Sequence, residues 1–156
     1  MTVSRQALLR EVGQAMQTYQ RSVQAFDDAV GRRLGLNGAD LRCLDWLADG
    51  PKTAGQLSVA TGLRPAATTA LVDRLVRKGF VRRTANTEDR RQVLVEMTDE
   101  GMARTWECYA PIVEEGQRVM SDLTRSELTA MRDLLVRIRE LTDRHRENLK
   151  NEDRSD

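Results

Sequence analysis

The chain has 156 residues, of which 25 are basic, 24 are acidic and only 4% are aromatic, and its formal net charge is +1. This length suits one compact domain with appendages, whose core must consist mainly of Leu, Val, Ala and Met side chains. The two cysteines, Cys43 and Cys108, lie far apart, and there is one histidine, so we expect neither a disulfide framework nor a metal site. We also expect no cofactor.

Two classes of targeting segment are missing from the sequence. No apolar run approaches the roughly 18 residues that a membrane-spanning helix requires. The first residues, MTVSRQALLREV, lack the apolar core and small-residue cleavage site of a signal peptide. We therefore expect a soluble, cytoplasmic protein with no membrane partner.

Charge is distributed unevenly along the chain. Residues 52–91 carry nine basic and three acidic side chains, a net charge of +6, whereas residues 1–51 are neutral and residues 92–156 carry a net charge of −5. A basic segment inside a neutral chain is typical of a surface that meets a polyanion such as nucleic acid. A solvated basic surface would give the same count, so charge alone does not decide between the two.

The first predicted element is one long helix over residues 5–34. Its apolar side chains recur at spacings of three and four, namely Leu9, Val12, Met16, Tyr19, Val23, Phe26 and Val30. A helix of this length rises about 45 Å, which exceeds the width of a small domain. Part of its apolar stripe is therefore expected to lie against a second subunit.

Capping residues place the next two helices. Asn37 can cap a helix over residues 38–49, which the sequence DGP ends. Thr53 and Gln56 form a capping box for a short helix, and Gly62 permits the turn that follows it.

The next predicted helix, from Pro65 to Lys78, completes a helix-turn-helix motif. Its apolar side is expected to be buried and consists of Thr68, Leu71, Val72 and Leu75. The opposite side carries small residues followed by charged ones, namely Pro65, Ala66, Thr69, Ala70, Asp73, Arg74 and Arg77. Small side chains near a helix N-terminus allow close approach to a DNA groove, and the helix dipole there favours a phosphate.

Two strand-like segments then predict an antiparallel hairpin: FVRRT at residues 80–84 and QVLVEMT at residues 92–98. A helix-turn-helix followed by a hairpin is a winged helix. The hairpin tip, ANTEDRR, places two acids directly before two arginines. Such a tip is either a solvated turn or a projection that contacts a partner.

Two further helices are predicted after the hairpin. Thr98 can cap the first, in which Pro111 is expected to cause a kink or a break. Thr124 and Glu127 form a capping box for the second, which is expected to end near Asn148. The polar tail that follows is expected to be frayed.

The motifs resemble those of the MarR family of bacterial transcriptional regulators. The segment EDRRQVLVEMTDEG, residues 88–101, resembles the family's wing motif with its following strand and helix start. The segment GLRPAATTALVDRLVRKGFVRR, residues 62–83, is similar to the recognition helix and next strand, and GPKTAGQLSVATGL to the preceding helix. The resemblance extends over about residues 5–148 and implies a homodimer with its first, fifth and sixth helices interleaved.

The predicted fold class is mainly α, a winged helix-turn-helix with a small antiparallel β-hairpin wing flanked by N- and C-terminal dimerisation helices. Four segments are expected: a dimerisation helix at 1–35, the winged helix-turn-helix DNA-binding domain at 36–99, further dimerisation helices at 100–150 and a frayed tail at 151–156.

The resemblance implies roles for the wing residues. Arg91 matches the arginine that enters the DNA minor groove, whose negative potential attracts a guanidinium. Asp89 matches the aspartate that braces this arginine through a salt bridge, and Arg83 matches a basic position near the DNA backbone. Arg90 is expected to meet a phosphate or solvent. Thr87 stands where many relatives have proline.

The resemblance also implies DNA contacts on the recognition helix. The matching positions are Pro65, Ala66, Thr68, Thr69 and Arg74. Arg64 stands where relatives usually have a capping Ser or Thr and can contact a phosphate instead, and Arg77 completes the predicted basic face.

A ligand pocket is a further expectation from the resemblance, because relatives bind small aromatic acids between the dimer helices and the winged domain. The candidate lining residues for a small aromatic or phenolic effector are Tyr19, Cys43, Trp46, Trp106 and Tyr109. The alternative is that these side chains belong to the core. A redox-sensing regulator that uses Cys43 or Cys108 is another alternative, although neither cysteine has an evident basic neighbourhood in sequence.

No GxSxG, P-loop, HExxH or Gly-rich dinucleotide motif occurs, so we expect no enzyme and assign no catalytic residue. The expected function is that of a homodimeric, sequence-specific double-stranded DNA-binding transcriptional regulator, a ligand-responsive repressor on a pseudo-palindromic operator. A helical dimeric adaptor or scaffold that uses the same fold without binding DNA is the alternative from another class.

Overall fold

The computed structural model describes residues 4–89 and 91–152, apart from the side chains of Lys150 and Glu152. In chain order the elements of this part are α1 (Arg5–Leu34), α2 (Gly38–Ala48), β1 (Lys52–Thr53), α3 (Ala54–Thr61), α4 (Pro65–Arg77), β2 (Val81–Ala85), β3 (Val93–Met97), α5 (Asp99–Met120) and α6 (Arg125–Glu152). The predicted fold class is confirmed, because α3 and α4 form the helix-turn-helix and the β2–β3 hairpin forms the wing.

Side-chain caps determine where α2 and α3 begin. The Asn37 side chain accepts a hydrogen bond from the Asp40 N–H at 2.9 Å, and Asp40 accepts one from the Asn37 N–H at 3.0 Å. Thr53 and Gln56 form the same reciprocal pair before α3, at 3.2 and 2.8 Å. Each pair satisfies backbone donors that lack a partner within the helix, so both predicted helix starts are correct.

The sheet has the strand order β1-β3-β2, and both pairings are antiparallel. In the hairpin, Val81 lies opposite Met97, and Ala85 lies opposite Val93. The two-residue strand β1 was not predicted, because so short a segment carries no periodic signal. It joins the segment before α3 to the central wing strand.

The core of the winged helix-turn-helix contains mainly aliphatic side chains together with one aromatic ring. Its fully buried apolar members are Cys43, Leu44, Leu57, Leu71, Val72, Leu75, Phe80, Val81 and Val95. A Cβ atom at position 101 would lie 2.6 Å from the Phe80 Cα atom, so Gly101 lets the first turn of α5 lie directly against that backbone. Arg104 then lies over the Phe80 ring, 4.1 Å from its centroid. These contacts determine where α5 leaves the wing.

The chain divides into two compact units, of which the first extends to Tyr109 and the second begins at Ala110. The first unit contains α1, the winged helix-turn-helix and the first half of α5. Pro111 was expected to cause a kink or a break, and α5 continues through this residue without a break. A proline removes one backbone donor from a helix, and the hydrogen bonds of the adjacent turns keep the remainder of α5 helical.

Helix α6 begins at the predicted capping box, in which Glu127 accepts a hydrogen bond from the Thr124 N–H at 2.8 Å. Residues 151 and 152 belong to this helix rather than to a frayed tail, and residues 153–156 lie outside the described residues. None of the α6 side chains that are described is buried. Within the described ranges, no helix is long and apolar enough to cross a membrane.

Candidate nucleic-acid interface

Helix α4 buries one side in the core and exposes the other. Thr68, Leu71, Val72 and Leu75 form its buried side. Its solvent-exposed residues, together with the residue before it, are Arg64, Pro65, Ala66, Ala67, Thr69, Ala70, Val76 and Arg77. The exposed side of α4 begins with small side chains and ends with the basic side chain of Arg77, as the sequence predicted.

The N-terminus of α4 has no side-chain cap. Arg64 occupies the N-cap position in an extended conformation and forms no capping hydrogen bond, and Pro65 begins the helix without an N–H group. The Arg64 carbonyl accepts from the Thr68 N–H at 2.9 Å. The first-turn N–H groups of Ala66 and Ala67 are therefore available to an external acceptor, where the helix dipole favours an anion.

Thr68 does not lie on the exposed side of α4, and its expected DNA contact is corrected by the structure. The residue is 1% exposed, and its hydroxyl donates to the Arg64 carbonyl at 3.1 Å. Thr69, the next residue, is exposed and donates to the Pro65 carbonyl at 3.1 Å. Helical periodicity explains the difference, because residues 68, 71, 72 and 75 share one side of the helix.

Arg74 also differs from its predicted role, because it is bound to a buried carboxylate. Its Nε and Nη2 atoms donate to Asp40, and the shortest distance is 2.5 Å. Asp40 is 1% exposed, whereas the Arg74 side chain is 33% exposed. The same carboxylate accepts from the Asn37 N–H, so Asp40 links the start of α2 to the recognition helix. Arg74 thus positions α4 rather than extending freely towards a groove.

Two ion pairs support the base of the wing. Arg83 on β2 donates to Asp73 on α4 at 2.7 Å, which ties the wing to the recognition helix. Arg82 donates to Glu96 on the neighbouring strand, also at 2.7 Å. Arg83 remains 40% exposed in this pair, so its guanidinium is still accessible to a phosphate.

Side-chain-to-backbone hydrogen bonds shape the wing tip. Asn86 accepts from the Glu88 N–H at 3.0 Å, and Asp89 accepts from the Arg91 N–H at 3.0 Å. Such contacts across two residues are Asx turns. Asp89 therefore braces the backbone of Arg91, whereas the expected salt bridge between their side chains is not formed.

The remaining wing predictions concern exposure. Arg91 is exposed at the tip and forms no ion pair with any residue that the structure describes. Thr87 is exposed as well. Arg90 lies outside the described residues. DNA contact by the exposed wing and helix residues stays a prediction.

The five residues expected to line one ligand pocket do not come together. Tyr19 is 70% exposed on α1, and Cys43 is fully buried. Trp46 lines a small cavity of about 220 Å³ between α2 and α3. Trp106 and Tyr109 share a cavity of about 270 Å³, so only these two residues meet.

The shared cavity contains a carboxylate that the sequence reasoning missed. Asp45 lines it together with apolar side chains from α2, β3 and α5. A larger adjoining cavity of about 450 Å³ is bordered by α1 and also includes Asp45 and Tyr109. No local motif marks Asp45, because its neighbours in the cavity come from distant parts of the chain.

Tyr109 connects α5 to α1 beside these cavities. Its hydroxyl donates to Asp27 at 2.8 Å, and its ring contacts Phe26 edge-on, with 5.6 Å between the centroids. Burial, and then the hydrogen bond and charge of Asp27, raise the pKa of Tyr109 above its usual value. The phenol therefore remains a hydrogen-bond donor at neutral pH.

Cys43 is poorly suited to redox sensing. It is 0% exposed, and burial, with a smaller contribution from the charge of Asp40, raises the pKa of its thiol to about 12. A protonated, inaccessible thiol is a weak nucleophile. Cys108 is partly exposed, and both cysteines are free thiols. Across the described residues no cluster of His, Cys, Asp or Glu side chains is placed to hold a metal ion.

The exposed recognition helix and the projecting hairpin define the chain as a winged helix-turn-helix protein. A sequence model of the MarR family matches residues 34–92. The HTH-type transcriptional regulator YcgE of Bacillus subtilis (strain 168) is 32% identical over 126 residues, which cover 80% of this chain and 82% of that protein. The HTH-type transcriptional repressor MdtR of the same organism is 29% identical over 128 residues, with 77% and 83% covered.

A solved structure shares the fold. A mutant MarR from E. coli, complexed with operator DNA, has a TM-score of 0.54 and 23% sequence identity to this chain, and the match covers 87% of this chain and 99% of that one. The chain belongs to the MarR family of transcriptional regulators. It is a regulator rather than an enzyme, as predicted.

Proposed function

We propose that the protein is a homodimeric repressor that binds a specific double-stranded DNA operator. The observation that carries the proposal is that one compact unit holds both an exposed, uncapped start of α4 and the exposed guanidinium of Arg91. Two relatives support it, since MdtR is a transcriptional repressor and the MarR of E. coli was solved with operator DNA.

The mode of binding follows from the shapes of the two elements. The small residues Pro65, Ala66 and Thr69 allow α4 to enter a major groove, and the N–H groups of the first turn meet a phosphate. The hairpin carries Arg91 to the adjacent minor groove. Arg83, held by Asp73, contacts a backbone phosphate in the proposed complex. In a twofold dimer, the half-sites of a pseudo-palindrome are about one helical turn apart.

The proposed dimer covers apolar surface that one chain leaves in solvent. A 28-residue helix without a described buried side chain gains little stabilisation from packing within one chain. Its exposed apolar side chains include Leu128, Leu134, Leu135, Val136 and Leu141, and those of α5 include Ile112, Val113 and Val119. Packing against a second copy supplies the missing contacts.

The direct test is a gel-shift titration with DNA from the promoter region beside the gene. We expect a salt-sensitive, sequence-selective complex, because several phosphates are neutralised by each dimer. The variant Arg91→Ala should weaken specific binding by about 1–3 kcal/mol, roughly 5- to 150-fold. The matched control is Arg132→Ala, which removes an equal charge from α6 and should leave affinity unchanged.

Two results would contradict the proposal. A dimer that shows no selectivity over unrelated DNA at any salt concentration would favour the adaptor alternative. If Arg91→Ala bound as tightly as the unmodified chain, the wing would not be a DNA contact.

The proposed repressor responds to a small ligand in the cavities beside α2 and α5. A ligand that binds more tightly to one arrangement of the two DNA-binding lobes shifts the population towards that arrangement. Repression is then relieved when the favoured arrangement no longer matches the spacing of the half-sites.

A further inference from the structure

The cavity shared by Trp106 and Tyr109 combines apolar walls with a single charged group. Leu41, Leu44 and Ala48 of α2, Met97 of β3, and Met102 and Trp106 of α5 are among its lining residues. Asp45 is the only charged side chain in that lining. Trp106 and Met102 remain 55% and 52% exposed, so the apolar surface is open to a ligand.

Asp45 has no partner in the part of the chain that the structure describes. No hydrogen bond or ion pair is formed by its carboxylate there, although most other acidic side chains near it are engaged. Burial by the surrounding atoms, and then the charges of Asp49 and Asp27, raise the pKa of Asp45 although its side chain still reaches solvent. A cation bound beside Asp45 would offset the repulsion from Asp49 and Asp27.

The adjoining cavity adds to the negative field. It shares Leu41, Asp45 and Tyr109 with the smaller cavity and is also bordered by Asp27, Asp28, Arg32 and Arg42. Asp27 accepts from Tyr109, and Asp28 accepts from Gln24 at 3.1 Å, so Asp45 is the carboxylate left without a donor. The lining of the larger cavity thus contains three carboxylates and two guanidiniums, so carboxylates are in excess.

We propose that this cavity binds a small organic cation with an aromatic or aliphatic body, which is the effector of the repressor. The positive group pairs with Asp45, and the body lies against Trp106, Leu44 and Met97. The faces of Trp106 and Tyr109 attract a cation as well. An aromatic acid would instead place its carboxylate beside Asp45 and meet repulsion. The inference depends on the proposed function only for its regulatory effect, not for binding.

The binding test uses benzyltrimethylammonium as the probe and the 156-residue chain as the protein. Trp46→Phe leaves Trp106 as the only tryptophan, so its fluorescence reports the cavity. We expect saturable quenching by the cation and no competition from benzoate. Asp45→Asn should weaken binding about tenfold or more, as for the loss of a partly desolvated charge pair. The control Asp49→Asn removes the same charge from the same region without lining either cavity.

Three outcomes would overturn the inference: no saturable binding of the cation at millimolar concentration, equal or tighter binding of benzoate, or equal affinity in Asp45→Asn and the unmodified chain. Circular dichroism of each variant verifies that it is folded.

The experiments distinguish a failure of the repressor proposal from a failure of the effector inference. If the gel shift succeeds and the cation does not bind, the effector inference alone is wrong. If the cation binds through Asp45 and no DNA complex forms, the cavity assignment stands and the repressor proposal is wrong. Release of bound operator DNA by the cation, with no release from the Asp45→Asn variant, would support both.

Discussion

Asp40 illustrates how a single residue can serve two elements. Its carboxylate caps the start of α2 and also binds Arg74 of the recognition helix, and it is almost completely buried. A buried carboxylate requires compensation by donors or by an opposite charge. Asp40 has both, and the orientation of α4 therefore depends on a residue 34 positions earlier in the chain.

The first prediction concerns this pair. Arg74→Ala leaves the Asp40 carboxylate buried and without its cation. Breaking a fully buried pair costs about 3–5 kcal/mol, and we expect about 2–3 kcal/mol here because the arginine remains partly in solvent. The free energy of unfolding in urea measures the loss. Arg77→Ala, on the exposed side of the same helix, should change it by less than about 0.5 kcal/mol. Equal losses in the two variants would mean that the pair contributes nothing specific.

The second prediction concerns the pH dependence of stability at Asp45. Its pKa is raised above the ordinary value of 3.8, first by burial, so the folded chain binds this proton more tightly than the unfolded chain. The resulting stabilisation is complete below about pH 3.8 and is lost as the pH rises through the pKa of the folded state. Asp45→Asn should therefore raise Tm at pH 7, and this advantage should shrink towards pH 3.

The matched control for this experiment is Asp122→Asn, an exposed carboxylate in the turn before α6. Its Tm should follow that of the unmodified chain at both pH values. A lower Tm for Asp45→Asn than for the unmodified chain at pH 7 would contradict the prediction, because it would mean that the carboxylate is stabilised in the fold.

At the scale of secondary structure, the junction between the wing and α5 is a close backbone contact. Thr98 caps the helix by accepting from the Gly101 N–H at 2.9 Å and donates to the Gly79 carbonyl at 2.6 Å. Gly101 then lies against the Phe80 backbone, and Arg104 covers the Phe80 ring. The start of α5 and the end of α4 are therefore held together by backbone approach as well as by side chains.

The third prediction is that Gly101→Ala destabilises the fold. The new methyl group would overlap the Phe80 backbone, which cannot move aside as a flexible side chain can, so we expect a loss of about 1–3 kcal/mol or more. Gly116→Ala in the same helix meets no atom within 4 Å and should stabilise it, by up to about 1 kcal/mol. Urea unfolding of both variants measures the contrast. The prediction requires the free energy of unfolding to fall in Gly101→Ala and to rise in Gly116→Ala. A more stable Gly101→Ala variant would show that α5 can shift at no cost.

The elements that sequence predicted well are those determined by neighbouring residues. The caps at Asn37, Thr53 and Thr124 act within three residues, and the apolar stripes of the helices repeat within one or two turns. A β1 strand of two residues has no such signal and exists only because β3 lies beside it. Of the kink or break expected at Pro111, the break does not occur, because the local preference of proline is outweighed by the rest of the helix.

Contacts between distant residues explain the errors at the candidate site. Helical periodicity predicted that Arg74 would lie on the exposed side of α4. No local pattern in the sequence indicates its ion pair with Asp40. The cavity at Asp45 is lined by residues of α2, β3 and α5, which are distant from one another in sequence. Tyr19 and Trp46, which were also predicted to line the ligand pocket, lie outside this cavity. The exposed positions of α4 and the wing could be predicted because helical periodicity and a hairpin tip are both local features.

For the whole molecule, the decisive feature is apolar surface that one chain does not cover. Most of the exposed large apolar side chains lie along α1, α5 and α6, whereas the winged helix-turn-helix has a core of its own. Exposed apolar side chains in such number on these helices support the proposed dimer interface. The proposed function therefore assigns assembly and DNA binding to different parts of the chain.

The fourth prediction is that the protein is a dimer in solution. Light scattering after size exclusion should give twice the 17.7 kDa mass of one chain. Leu135→Glu, at a side chain that is 58% exposed on α6, should shift the mass towards that of the monomer, because it places a charge in the proposed interface. Val59→Glu is the control, since Val59 is 73% exposed on α3 and lies outside those helices. A monomeric mass for the unmodified chain at micromolar concentration would contradict the dimer.

The strand order β1-β3-β2 leaves two outer strands whose peptide groups could recruit a strand from another molecule. Each outer strand carries cationic side chains, Lys52 on β1 and the adjacent Arg82 and Arg83 on β2. Charged side chains at a sheet edge disfavour the pairing of a further strand, so we expect these residues to oppose edge-to-edge association, although Glu96 and Asp73 offset part of the charge on Arg82 and Arg83. Replacing them with apolar residues would thus endanger solubility before it affected the fold.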